Sequence, residues 1–191
     1  MQRAAHAIAL PGGTWLVDPV DHPDVRARID AMPPVAGVLQ LLDRHGRDCA
    51  AMAAEFGVPL VATPRGPVDG TPFQATVVRD ARGWHESALW WPDRSALVVA
   101  EAVGTAPYYR ARPEQVIGPH PFMRVRPPRV LRGFPARHVL VGHGDPVHRD
   151  DAGLLVDQAV DHARGSTPRW MLSLATGSVR RADRRSPIVT R

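Results

Sequence analysis

"VLQLLDRHGRDCAAMAAEFGVPLVAT", residues 38–63, decides how the chain is read. It opens inside a nearly continuous apolar run, "VAGVLQLL" (35–42), the composition of a strand buried on both faces. "CAAMAAEF" (49–56) reads as a helix closed by Gly57, and "VPLVAT" (58–63) is the next apolar run. Strand, helix and strand in this span predict a β-α-β unit, and so a parallel pair with a right-handed crossover. The turn between the first strand and the helix, "DRHGRDC" (43–49), holds a histidine, two aspartates, two arginines and the only cysteine. Asp, Cys and His are all competent ligands for a zinc-like ion.

Toward the N-terminus, "GTWLVDP" (13–19) predicts a strand after a Pro-Gly-Gly turn. "HPDVRARIDAM" (22–32) carries Val25, Ile29 and Met32 at helical spacing, with Pro23 suited to a first turn. Beyond the opening stretch, "FQATVVRD" (73–80), "SALWWP" (87–92) and "ALVVAE" (96–101) predict strands. The tight turn "PDRS" makes the last two an antiparallel hairpin. Residues 104–137 are rich in proline and arginine and predict a surface excursion with two short helices over one face of the domain. "HVLVGHG" (138–144) predicts a strand that runs into a Gly-His-Gly turn, and "DDAGLLVDQAVDHAR" (150–164) an amphipathic helix. The expected organisation is a single domain over 1–170, with 180–191 a disordered basic tail.

The composition is that of a globular domain, with 44% hydrophobic and 23% charged residues in a chain of 191. No apolar run is long enough to cross a membrane, and the first residues carry no signal-peptide pattern. A single cysteine excludes an internal disulfide and suits a reducing compartment, so the expected location is cytoplasmic. The net charge is +5, and all 24 basic residues are arginine, several of them in "RVRPPRVLRGFPAR" (124–137) and "RRADRR" (180–185). Nucleic acid is disfavoured as a partner, because no aromatic residue interleaves with the arginines of the tail. The oligomeric state is open.

Three segments share one design, in which an apolar strand ends and potentially ligating side chains follow at once: "LQLL-DRHGRDC", "LVVA-EAVG" and "VLVG-HGDPVH". A fourth, "RGWHESALWW", places His85 just before a strand. Strand ends of this kind converge at one edge of a sheet, where open α/β sheets bind ligands. In this order the segments resemble the metallo-β-lactamase fold superfamily, over roughly residues 13 to 164. "LVDP" is similar to the end of its opening strand, and "GWHESALWWP" to its "GH-x-PG-x-x-A-L" strand. "LVVAEAVG" is similar to its "LF-x-GD" strand, and "VLVGHGDPVH" to its final "GHG" strand with the helix after it.

The resemblance implies an α/β, four-layer αββα sandwich, in which two mixed β-sheets pack face to face between outer helices. It also implies a centre of one or two zinc or iron ions that hydrolyses esters, amides, thioesters or phosphodiesters. Carried onto this chain, the family's His-x-His-x-Asp-His motif falls on Arg44, Gly46, Asp48 and Cys49. The later ligands fall on His85, Glu101 and His143. Arg44 and Gly46 do not ligate metals, so the implied centre is degenerate. Its candidate ligands are Asp48, Cys49, His85, Glu101 and His143, holding one zinc ion or none.

Each candidate has a plain structural alternative. Asp48 is a favoured helix cap, and Cys49 a small buried hydrophobe. His85 can be a packed, hydrogen-bonded histidine, and Glu101 a partner for one of the arginines. Arg44 can replace a cation by pairing with Asp48 or Glu101. His45, one residue out of register, can take a missing ligand's place. Tyr108 and Tyr109 open the excursion and can line a pocket. The expected function is a metallo-β-lactamase-fold protein of weak or no hydrolytic activity that binds a small molecule or a partner. The alternative is a single-zinc hydrolase of esters, thioesters or lactones.

Overall fold

The computed structural model describes residues 3–176 of the chain; the basic segment expected at 180–191 lies outside them. Two sheets carry the architecture. In the first, β1 (His6–Leu10), β2 (Gly13–Val17), β3 (Val35–Gln40) and β4 (Leu60–Ala62) lie side by side in chain order. β1 and β2 form a hairpin, and β2, β3 and β4 are parallel. The crossovers are α1 (Pro23–Asp30) and α2 (Gly46–Phe56), so the strand-helix-strand reading of residues 38–63 matches β3, α2 and β4. The pairing of β1 was not legible, because its residues lack a clean alternation.

The second sheet contains β5 (Gly66–Pro67), β6 (Gln74–Ala81), β7 (Trp84–Trp91) and β8 (Ala96–Val99). It is completed by β11 (His138–Val141) and β12 (Val147–His148), in the order β12-β11-β8-β7-β6-β5. β7 and β8 form the predicted antiparallel hairpin, whereas β8 and β11 are parallel. A short pair, β9 (Val103–Gly104) with β10 (Gly118–Pro119), lies within the excursion. There the chain makes three short 3-10 turns, at 107–109, 121–123 and 129–131, where two short helices were expected. The proline-rich composition explains this, since proline removes the donors that a longer helix needs.

The two sheets face each other. Trp15, Val17 and Leu39 from the first, with Leu41 just past β3, share one continuous core with Leu89, Val98 and Val141 of the second and Phe73 just before β6. A smaller cluster, Leu16, Ile29, Val38, Cys49, Met52 and Ala53, joins α1 and α2 to the outer face of the first sheet. α3 (Ala152–Asp161) covers the second sheet with Ala152, Val156, Ala159 and Val160 buried. The layers therefore run helix, sheet, sheet, helix. α4 (Thr167–Ala175), which the sequence pattern did not reveal, follows without a buried residue of its own. No helix among the described residues is long and apolar enough to cross a membrane.

Candidate metal centre

Three chain segments meet at the carboxylate of Glu101, just past the end of β8. Its Oε1 lies 3.2 Å from His45 Nε2 and 3.3 Å from His143 Nε2. Its Oε2 accepts a hydrogen bond from Arg44 Nη2 at 2.6 Å. His45 and Arg44 leave the 3-10 turn Asp43–His45 that joins β3 to α2, and His143 leaves the loop after β11. "LQLL-DRHGRDC", "LVVA-EAVG" and "VLVG-HGDPVH" thus meet at one sheet edge, and of the fourth segment Trp84 and Glu86 join them while His85 does not.

Each of these side chains is fixed from behind. Asp18 follows β2 with a positive φ of 44° and is buried. Its Oδ1 accepts the Leu41 N–H at 2.9 Å, and its Oδ2 faces His45 Nδ1 at 3.1 Å. With Nδ1–H given to Asp18, Nε2 of His45 is the atom turned toward Glu101. Such a carboxylate behind a histidine is the arrangement that orients metal-binding imidazoles. Burial would pull the His45 pKa down, but hydrogen bonds to Asp18 and Glu101 prevail and push it up to about 9. The chain alone therefore holds His45 as an imidazolium.

Burial would raise the Glu101 carboxyl, yet His143, His45 and the charge of Arg44 hold it well below the usual carboxylate range. Glu86, on β7, supports Glu101 from beneath. Its Oε1 accepts the backbone N–H of both Glu101 and Ala102 at 2.7 Å, and its Oε2 accepts Trp84 Nε1–H at 2.8 Å. Burial pushes the Glu86 carboxyl up to about 7 against those hydrogen bonds. His143 sits between two glycines for steric reasons. A Cβ at Gly142 would strike the carbonyl of Ala100, and Gly144 has φ 95° against Thr105 and Ala106.

An aromatic wall lines one side. The Arg44 guanidinium lies 4.1 Å from the Trp84 ring centroid. His120 packs edge-on to Trp84 at 4.8 Å, and the Tyr109 ring stacks on His143 at 5.9 Å. His120 Nδ1 accepts the Phe122 N–H at 3.3 Å, which leaves the proton of the neutral ring on Nε2, 3.3 Å from Tyr108 Oη. Burial lowers the His120 pKa to about 4, so the ring stays neutral. Arg124, fully buried, holds this stretch of the excursion by donating to the Tyr109 carbonyl at 2.5 Å and to Ser166 Oγ at 3.0 Å.

The candidates read from sequence divide in two. Glu101, His143, Arg44, His45, Tyr108 and Tyr109 are brought together, whereas Asp48, Cys49 and His85 are not. α2 begins at Gly46, so Asp48 lies inside its first turn and is not its cap; its Oδ2 accepts the Asp21 N–H at 3.2 Å. Cys49 is fully buried under the first sheet, with Sγ 3.4 Å from the His45 carbonyl. Burial, and then the charge of Asp18, pushes its thiol up to about 12. The thiolate is the metal ligand, so this thiol is poorly suited to the role. His85 points outward and pairs with Asp80 at 2.6 Å across the β6–β7 hairpin. Side chains alternate along a strand, and on β7 Trp84 and Glu86 take the inward positions. Asp18, Glu86 and His120 were missed. The "LVDP" strand end was visible, but its role depends on a left-handed turn at Asp18 that the sequence does not announce. A Cys49→Ala protein should bind as much zinc as the wild type and lose about 1 kcal/mol of stability, measured by metal analysis and urea unfolding.

The three donors His45 Nε2, Glu101 Oε1 and His143 Nε2 all lie within 4.8 Å of one another. Two zinc ligands at tetrahedral angles, with bonds of ~2.0–2.1 Å, stand ~3.3 Å apart. The 3.2 and 3.3 Å separations at Glu101 Oε1 have that spacing, so the set can hold one ion once the His45 Nε2 proton is displaced. On the other side of the carboxylate Arg44 already provides a cation. A groove of about 630 Å³ between the excursion and α3 is a separate feature; none of the three donors lines it.

Sheet order and helix placement are those of the metallo-β-lactamase fold, and the chain has that fold. A metallo-β-lactamase from Erythrobacter litoralis matches it with a TM-score of 0.53 at 13% identity, over 83% of this chain and 79% of the other. A metallo-β-lactamase from Pontibacter korlensis matches with 0.56 at 12% identity, over 83% and 85%. TTHA1623 in a di-iron-bound form matches with 0.51 at 18% identity, over 77% and 90%. No family model matches the sequence, and no curated protein does. The likeness is therefore one of fold.

Proposed function

We propose that this chain is a metallo-β-lactamase-fold protein whose centre is reduced to a single ion. That ion is held by His45, Glu101 and His143, and the site binds a small molecule with weak or no hydrolysis. The observation that carries this reading is the division of Glu101: Oε1 faces two imidazoles, while Oε2 is taken by Arg44 at 2.6 Å. In a two-metal centre a second ion would need a free oxygen of this carboxylate. Here a guanidinium occupies one side of it. Two-metal sites clamp both the attacking and the leaving oxygen, and a centre with one ion and one arginine lacks that symmetry.

A zinc or iron ion at this position would act as a Lewis acid and lower the pKa of water. The chain's own part is orientation. Asp18 fixes the tautomer of His45, Glu86 fixes the backbone that carries Glu101, and the wall of Trp84, His120 and Tyr109 restricts solvent. The alternative, a single-zinc hydrolase of esters, thioesters or lactones, draws support from the Asp18–His45 pair, an arrangement that active metal sites use.

Metal analysis of protein purified without chelator tests the first reading. The expected result is about one equivalent of zinc or iron per chain, falling below about a tenth in His143→Ala. Less than about a tenth in the wild type would overturn it. Loaded protein that then hydrolyses aryl esters, thioesters or lactones at rates typical of enzymes would favour the alternative.

A further inference from the structure

The rim of the Glu101 centre exposes two chemically different groups near one indole. One is the Arg44 guanidinium, 4.1 Å from the Trp84 centroid, with its side chain 41% exposed. The other is Phe122, 74% exposed, its ring 6.5 Å from Trp84 and 5.3 Å from His120. Trp84 itself is only 6% exposed, because these neighbours cover it. Phe122 is held outward by its own turn: its backbone N–H is given to His120 Nδ1, and Pro121 opens the 3-10 helix that presents it. An aromatic ring of this exposure, fixed beside a charged site, loses nothing further when an apolar group covers it and gains the burial.

Arg44 uses one terminal nitrogen on Glu101, and its planar fork offers further N–H donors toward solvent. We infer that the site takes a small amphipathic carboxylate, with its carboxylate on Arg44 beside the Glu101 centre and its apolar tail reaching the exposed Phe122 ring. The inference rests on reading the Glu101 centre as a binding site and names the ligand class for it. A guanidinium selects a planar two-oxygen anion, and the exposed Phe122 ring favours anions that carry a tail.

Calorimetric titration of the full chain with octanoate and with acetate tests this, in zinc-loaded and in chelator-treated samples whose zinc content is measured in parallel. Octanoate should bind at least about tenfold more tightly than acetate. Phe122→Ala should reduce that preference to about twofold or less with an unchanged melting temperature, and Arg44→Gln should weaken both acids. Octanoate binding no better than acetate, no binding of octanoate, or a preference that survives Phe122→Ala would each overturn the inference. A chain that takes no zinc but shows the Phe122-dependent preference overturns the single-ion reading and upholds this one. A chain that takes zinc and ignores octanoate does the reverse.

Discussion

Replacing Glu101 by alanine is expected to destabilise the fold by about 3 kcal/mol and to abolish ion binding, the larger of the two functional losses available at this site. Glu101 is the single anion at which Arg44, His45 and His143 meet. Without it, His45 faces one carboxylate only, and Arg44 loses its partner. Arg44 is partly exposed and regains water, which keeps the cost at the lower end for a broken buried pair. Glu101→Gln separates charge from shape. It should retain most of the stability but still bind less than about a tenth of an equivalent of zinc, since an amide is a poor ligand for this ion. Urea unfolding and metal analysis on the same preparations read both quantities. Full zinc occupancy in Glu101→Ala would mean that the ion sits elsewhere.

Glu86→Ala should cost the fold more, about 4 kcal/mol, although Glu86 is not one of the three proposed donors. Its carboxylate is the acceptor for three buried donors: the N–H groups of Glu101 and Ala102, and the indole N–H of Trp84. Each would be left unpaired at about 1–3 kcal/mol, partly relieved by water entering the space. The substitution also frees the backbone that presents Glu101, so zinc affinity should fall with stability. Glu86→Gln is the informative control. Its amide oxygen can keep both backbone donors, but its NH2 would face the Trp84 N–H, so a loss of only about 1–2 kcal/mol is expected. Equal losses for the alanine and glutamine variants, measured by denaturant unfolding, would show that the charge of Glu86 matters and not its acceptors.

The main strands and the parallel unit were legible because buried strands need unbroken apolar runs, and 35–42, 96–101 and 138–144 supply them. The strand-end rule then found Glu101 and His143. What failed was phase. At "GWHES" the alternating period is plain, but nothing local says which residue faces inward, and the structure turns Glu86 in and His85 out. In "DRHGRDC" a 3-10 turn precedes the helix and rotates His45 into the site. One helical turn later, Cys49 is directed under the sheet. Asp18 and His120 depend on contacts between segments far apart in the chain, 27 residues in the case of Asp18 and His45, and so leave no local pattern. α4 was missed because no buried stripe marks it.

The Arg44–Glu101 pair has a consequence for how the protein meets its surroundings. A chelator cannot strip a guanidinium, and no competing ion can exchange with it. One of the positive charges beside Glu101 is therefore inherited with the polypeptide, whatever the local supply of zinc or iron. In the folded chain Arg44 therefore pairs with the carboxylate whether or not an ion lies on its other side.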